Sequence, residues 1–291
     1  MAIVGGGVIG VEFAQIMSRM GVSVTVIEMM PNILPTEDTE LGRILESLLK
    51  EEGIEIFTNS TVKKINAIKG GKKRIIFDSK EVSREDVVDK VLVAVGRTPE
   101  TSNLGLERLG IQLNEKGCIS VNAKMETNIP GIYAVGDVAG KMMLAHVASA
   151  EGKCAVENIA GMNKEMDYLR APRCIYTSPE MACVGLTEGQ ARQVYGGDIM
   201  VGRFPLVGNS MNLILNEKAG LVKVIGEKKG REILGIEILS PYATELIGEG
   251  VLGMCLEASF EYFADTIHAH PSVSEAITEA VLSMEGKAIH V

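Results

Sequence analysis

No two of the five cysteines (Cys118, Cys154, Cys174, Cys183, Cys255) lie closer than nine residues apart, so these residues hold no C-x-x-C or C-x-x-x-x-C pair. That spacing excludes a local zinc framework and a local redox disulfide, and leaves five reduced, mostly buried small hydrophobes as the expectation. No apolar run approaches the roughly 18 residues that a membrane helix needs, so no membrane partner is expected. A basic surface is missing as well: 29 Lys and Arg stand against 38 Asp and Glu, for a formal net charge of −9. That balance argues against nucleic acid and anionic membranes as partners. No basic segment precedes the first apolar run, which is itself glycine-rich, so a secretory leader is not expected and the cytoplasm is the expected compartment. No internal repeat or low-complexity segment occurs. What is present is core material: 46% of the 291 residues are hydrophobic, and the length suits about two domains.

The stretch around which the chain is arranged is MAIVGGGVIGVEFAQIMSRMGVSVTVIE. It reads as strand, glycine turn, helix, strand. Gly5, Gly7 and Gly10 spell G-x-G-x-x-G, with Gly6, Val8 and Ile9 between them, and Glu28 follows Gly5 by 23 residues at the end of the second strand. The first glycine permits a tight turn, the second admits a pyrophosphate close to the backbone, and the third lets helix pack on strand. The helix start offers free N–H groups and a positive dipole end to phosphate. Glu28 can accept hydrogen bonds from an adenosine ribose. Met29 and Met30 stand where an arginine could meet a 2′-phosphate, so NAD is favoured over NADP. The bland alternative is a βαβ unit whose glycines only serve packing. A second G-x-G-x-x-G at Gly248, Gly250 and Gly253 is fed by no strand and reads as close-packing points on a helix.

After Glu28, Pro31 and Pro35 mark a loop. Residues 38–52 form an amphipathic helix, with Leu41, Ile44, Leu45, Leu48 and Leu49 on one face. A strand at 54–57, a hairpin over 62–77 turning at Gly70-Gly71, and a strand at 90–95 closed by Gly96 follow. Strands alternating with helices imply a parallel sheet whose ligands lie beyond the carboxyl ends of the strands, where Gly5, Glu28 and Gly96 would gather. Residues 97–165 offer only short strands at 119–121 and 132–135, then a helix over 144–160. From about Asp167 the pattern is α+β, with a strand at 181–184, a hairpin over 220–239 and helices near 243–258 and 273–284.

Six motifs in order carry a resemblance: Gly5-Gly6-Gly7-Val8-Ile9-Gly10-Val11-Glu12, Val95-Gly96-Arg97-Thr98-Pro99, Ala134-Val135-Gly136-Asp137-Val138, Met143-Leu144-Ala145-His146, Ile175-Tyr176-Thr177-Ser178-Pro179-Glu180 and His268-Ala269-His270-Pro271. The whole chain resembles the flavoprotein disulfide reductases, and among them the dihydrolipoamide dehydrogenases. The resemblance implies a Rossmann-type α/β NAD-binding domain at 1–96, a central segment at 97–165 that forms part of an FAD domain, and an α+β dimerisation domain at 166–291 in a homodimer. It places NAD at Gly5 to Gly10, Glu28, Val62 and Gly96. It places FAD at Asp137 and at Met143, Leu144, Ala145 and His146. Read without the family, Asp137 is equally a turn residue.

The resemblance also assigns the chemistry to His270 and Glu275, acting on a disulfide of the partner subunit. A dithiol is a poor nucleophile until deprotonated, an imidazole can take that proton and return it, and a carboxylate on the other ring nitrogen fixes the tautomer. Two other readings stay open from the residues alone. Ser272-Val273-Ser274-Glu275 is also a capping box, and either His268 or His270 can be a packing residue. The family pattern usually has threonine and leucine where this chain has Ser272 and Val273. The family also places a flavin-binding glycine motif and a C-x-x-x-x-C disulfide ahead of the NAD domain, and neither lies in these 291 residues. The expectation is that the chain alone does not oxidise dihydrolipoyl groups, and that residues 97–165 expose apolar surface or rearrange. Two further readings remain: a non-catalytic module that binds NAD or dimerises, and a reductase of a non-lipoyl disulfide.

Overall fold

The computed structural model describes residues 1–217 and 219–290. The chain divides into two compact units, Met1–Gly96 with Pro172–Val291, and Arg97–Ala171.

In the first unit, β1 (Ala2–Val4), β2 (Thr25–Ile27) and β3 (Glu55–Phe57) are joined by the helices Val8–Arg19 and Thr39–Glu51. An antiparallel sheet follows, made of β4 (Ser60–Ala67), β5 (Lys73–Ser79) and β6 (Val82–Val88), and β7 (Val91–Val93) returns to the first sheet. The first sheet is parallel in the order β3-β2-β1-β7. The expected hairpin over 62–77 is therefore two thirds of a three-stranded sheet. Its third strand, VSREDVV, carries charge on its exposed side and enters through Lys80-Glu81. Both of those residues adopt positive φ (50° and 66°), a geometry that two-residue hairpins normally give to Asn-Gly or Gly-Gly. The sequence thus gave no turn signal there.

The helix Thr39–Glu51 begins at Asp38, whose side chain accepts from the N–H groups of Glu40 (2.9 Å) and Leu41 (3.4 Å). Its apolar face, Leu41, Leu45 and Leu49, is buried on both sides of a seam. It meets Val24, Val26 and Ile54 of its own domain, and Met181, Cys183, Leu221 and Leu239 of a second sheet. That second sheet contains β8 (Arg173–Ile175), β9 (Glu180–Gly185), β10 (Ile199–Pro205), β11 (Leu221–Glu227) and β12 (Ile233–Ser240). Every pairing in its order, β10-β11-β12-β9-β8, is antiparallel. Its other face buries Val222, Val224, Ile236 and Ile238 against the helices Ala243–Cys255 and Glu275–Ser283. Within the first of these helices the second glycine triplet splits by role. A Cβ on Gly253 would lie 2.2 Å from the Phe263 ring and one on Gly250 3.0 Å from Ile236, whereas one on Gly248 would meet nothing. Close packing thus explains two of the three.

The second unit holds the helix Ala145–Ile159 over a small core of Met125, Ala139, Cys154 and Ala155. The strands expected at 119–121 and 132–135 are not formed. Only isolated bridges occur there, Leu113 to Ile119 and Glu126 to Tyr133. The N–H groups of Ile119, Ser120 and Ala134 donate singly to the carbonyls of Val138, Gln112 and Met125, and next to them Asn114 Oδ1 takes the N–H groups of Lys116 and Cys118, and Asn122 Oδ1 those of Lys124 and Glu126. Such local turns compete with a ladder. Leu104, Leu109, Val156 and Ile159 stand exposed on this unit. Among the described residues no helix is long and apolar enough to cross a membrane.

Candidate functional site

The carboxyl ends of the parallel strands bring the first group of residues together. Gly5 N–H donates to Ile27 O (2.9 Å), Glu28 N–H to Phe57 O (2.8 Å) and Ala94 N–H to Val4 O (2.7 Å), so the chain leaves β1, β2 and β7 at one edge. The glycines there have separate causes. A Cβ on Gly5 (φ 106°) would lie 2.3 Å from Ala94 O, and one on Gly10 would lie 1.9 Å from Gly5 O, so turn and helix can approach only without side chains. A Cβ on Gly7 would meet nothing within 4 Å. Gly7 is the N-cap of the helix, whose first backbone bond runs from Val11 N–H to Gly7 O at 2.9 Å. The N–H groups at the helix start, including those of Val8, Ile9 and Gly10, therefore have no carbonyl of this helix to bond. Open space, free donors and a positive dipole end suit a pyrophosphate.

Glu28 lies at the end of β2 and is buried. Its two oxygens accept from Gly6 N–H and Met30 N–H, each at 2.6 Å. Sequence reasoning placed the acid at this edge but missed that it also ties the glycine turn to the loop after β2. Gly96 (φ 124°) follows Ala94 at the same edge. Val62 sits opposite Phe77 and packs, partly buried, against the apolar cluster of Ile27 and Phe77.

The second group surrounds the start of the helix Glu275–Ser283. His270 Nδ1 lies 2.9 Å from Glu275 Oε1, and Glu275 Oε2 accepts the Ser272 N–H at 2.8 Å. Half of the capping box is present, because the Ser272 hydroxyl turns to Ser274 Oγ at 2.8 Å. Burial pushes the Glu275 carboxyl up, but the Ser272 N–H and the imidazole outweigh it, and the carboxyl titrates below its ordinary value. His270 is 70% exposed and His268 9%. His268 is held at both nitrogens, by Glu249 at 3.0 Å and by Thr278 Oγ1 at 3.0 Å. The bond to Glu249 raises its pKa. Of the paired histidines, the first is the anchored one and the second is presented. Neither Glu249 nor Thr278 carried a sequence signal, since each sits at an ordinary position of a helix.

In the second unit, Asp137 lies on a turn of 3₁₀ helix at Gly136–Ala139 and pairs with Arg97. The turn is fixed from below: Glu151, fully buried, accepts from Gly136 N–H at 2.6 Å and from the Tyr168 hydroxyl at 2.8 Å. Met143 and Leu144 lead into the helix Ala145–Ile159, whose first turn contains Ala145 and His146. Toward a flavin these residues offer a carboxylate on a rigid turn and a helix start. Among the described residues none of the five cysteines is paired in a disulfide.

Comparison with known proteins matches most of the chain to two family models. The pyridine nucleotide-disulphide oxidoreductase model matches residues 1–152, and the dimerisation domain of the same proteins matches residues 171–281. A dihydrolipoyl dehydrogenase of Thermus scotoductus is 42% identical over 292 aligned residues, covering all of this chain and 63% of the relative. One of Bacillus subtilis is 40% identical, covering all of this chain and 62% of the relative. The chain thus spans less than two thirds of the length of these curated relatives. Among solved structures, the HOCl-induced flavoprotein disulfide reductase RclA of Escherichia coli superposes with a TM-score of 0.87 at 29% identity, over 96% of this chain and 63% of that one. A glycine turn feeding a parallel sheet, an antiparallel sheet behind it and these matches agree: the chain belongs to the pyridine nucleotide-disulphide oxidoreductase family.

Proposed function

We propose that this chain is the carboxyl-terminal part of a dihydrolipoamide dehydrogenase. It would act as a homodimer, in the cytoplasm, on lipoyl groups of 2-oxo acid dehydrogenase or glycine cleavage complexes. The observation that carries the reading is the His270–Glu275 pair, an exposed imidazole whose inner nitrogen lies 2.9 Å from a carboxylate. With Nδ1–H donating to Glu275, Nε2 is left to accept a proton from a thiol of the substrate and return it. Glu275 is itself fixed by Ser272 N–H, so the imidazole keeps one tautomer and one orientation.

NAD would be held by the turn Gly5–Gly10, with its pyrophosphate over Gly7 and its ribose toward Glu28. The residues fit it, since Gly7 alone of the three motif glycines faces open space. FAD would be held in part by Asp137 and by Met143 to His146. A bound flavin supplies the two-electron acceptor between dithiol and nicotinamide. The cysteines of these residues lack the spacing for the substrate-facing disulfide, so the chain by itself is proposed not to turn over dihydrolipoamide. The test is a fusion behind the amino-terminal region of the Thermus scotoductus relative. NADH formation from dihydrolipoamide is expected, and it should drop about 10²–10⁴-fold with His270→Gln. A fusion that binds flavin and NAD but leaves dihydrolipoamide untouched would count against the assignment.

A further inference from the structure

The five-stranded sheet carries a straight row of polar side chains across its full width. Arg203 on β10 stands opposite Lys223 on β11, Lys223 opposite Glu237 on β12, Glu237 opposite Cys183 on β9, and Cys183 opposite Arg173 on β8. Directly opposed residues share one face of a sheet and interact. The start of the helix Thr39–Glu51 covers this row. Glu37 bonds Arg173 Nε at 2.9 Å, Asp38 holds Lys223 Nζ through both oxygens at 2.9 Å, and Glu40 bonds Arg203 Nε at 2.9 Å and Lys223 at 3.0 Å. Glu188, from the helix Glu188–Tyr195, completes the ring around Lys223 at 2.9 Å.

One member of the row has no hydrogen-bond partner among the described residues. Glu237 is 0% exposed, and neither of its carboxyl oxygens meets a donor there. The neighbouring ammonium does not serve it, because Lys223 spends its donors on Asp38, Glu40 and Glu188. The groups that act on Glu237 are Asp38 and Glu37 from the segment before the helix, Lys223 from β11 and Arg173 from β8, with the Cys183 thiol opposite on β9. An ionised carboxylate in that position would be buried without a single donor, which is far more costly than burying the neutral acid.

We propose that the folded protein holds Glu237 as the neutral acid, and that ionising it loosens the seam between the NAD-binding domain and the dimerisation sheet. The charge formed would stand beside Glu37 and Asp38, the residues that dock the helix Thr39–Glu51 on the sheet. Burial first, then the negative charge of Asp38, pushes the Glu237 carboxyl from 4.5 up to about 9, against the pull of Lys223 and Arg173. Burial also pushes the Cys183 thiol well up. In the unfolded chain Glu237 would titrate at its ordinary 4.5. Between the two values the folded state binds more protons than the unfolded state. The contribution of Glu237 to stability therefore falls as pH rises through that window, and levels off above about 9.

The experiment compares urea unfolding of the chain and its Glu237→Gln variant from pH 5 to pH 10. The amide has the shape of the neutral acid and cannot ionise. The variant is expected to match the parent near pH 5, and the ratio of parent to variant unfolding constants should grow about tenfold per pH unit up to pH ~9, then level. A ratio independent of pH, or a variant less stable than the parent at pH 7, would overturn the proposal, since Glu237 would then be ionised and paired. An infrared spectrum of the unsubstituted protein decides the matter even if the variant fails to fold. A buried protonated-carboxyl band at pH 7 that disappears by pH 10 is expected, and absence of any such band at pH 7 would overturn it.

Discussion

Glu275 divides its carboxylate between His270 and the backbone: one oxygen lies 2.9 Å from His270 Nδ1 and the other accepts the Ser272 N–H at 2.8 Å. The two interactions predict separable effects. In Glu275→Ala the imidazole should lose its Nδ1–H tautomer in favour of the Nε2–H form, visible in ¹⁵N spectra of the neutral ring. Loss of the backbone bond should cost about 1 kcal/mol of stability. A ring that keeps its Nδ1–H signature in the variant would show that the carboxylate does not set the tautomer.

Gly7 and Gly10 should respond oppositely to the same methyl group. Gly10→Ala drives a Cβ to within 1.9 Å of Gly5 O, and should lower stability by about 3 kcal/mol or more, a drop of roughly 5–10 °C in Tm. Gly7→Ala meets no protein atom within 4 Å, so Tm should hold while NADH binding, followed by nucleotide fluorescence, weakens at least tenfold. Equal NADH affinity in Gly7→Ala and the parent would remove the pyrophosphate from this turn.

Much of this was legible in the sequence because each feature is local. The glycine spacing, the apolar face of Leu41, Leu45 and Leu49, and the run from Ser272 to Glu275 are settled within a few residues of chain. What was not legible depends on partners distant in sequence. The third strand Val82–Val88 has a non-glycine turn and a charged face. The strands expected at 119–121 and 132–135 give way to isolated bridges flanked by asparagine turns. The row from Arg203 to Arg173 exists only once five strands are in register, and no periodicity announces it.

Glu28 should matter for folding as well as for ribose. Its oxygens are the acceptors for Gly6 N–H and Met30 N–H, so Glu28→Ala orphans two donors and should cost about 1–3 kcal/mol for each that water cannot reach. Calorimetric unfolding with and without NADH should report both losses. A variant as stable as the parent would mean that these donors find other partners.

Lys223 is 2% exposed and ringed by Asp38, Glu40 and Glu188. Burial pushes the Glu188 carboxyl up, but the bonds from Lys223 and Arg192 outweigh it and hold it at about 2. The sign for such a depressed acid is opposite to that for Glu237: its stability is present above pH ~4.5 and is lost as pH falls toward 2. Lys223→Met should cost about 3–5 kcal/mol at pH 7 by leaving the buried Asp38 carboxylate without a cation and weakening the hold on Glu188. The deficit should shrink in acid unfolding curves below pH ~4.5. A deficit constant down to pH 2 would contradict the pairing.

The central claim is a proposal: the nicotinamide site and the acid–base pair would lie in these residues and the dithiol relay between them outside. The most direct measurement mixes the purified chain with dihydrolipoamide and NAD and follows absorbance at the NADH band and across the visible range. The account predicts no NADH formation, in a preparation that still binds NADH by fluorescence. NADH produced by this chain alone, with a bound flavin bleached by the dithiol, would contradict it.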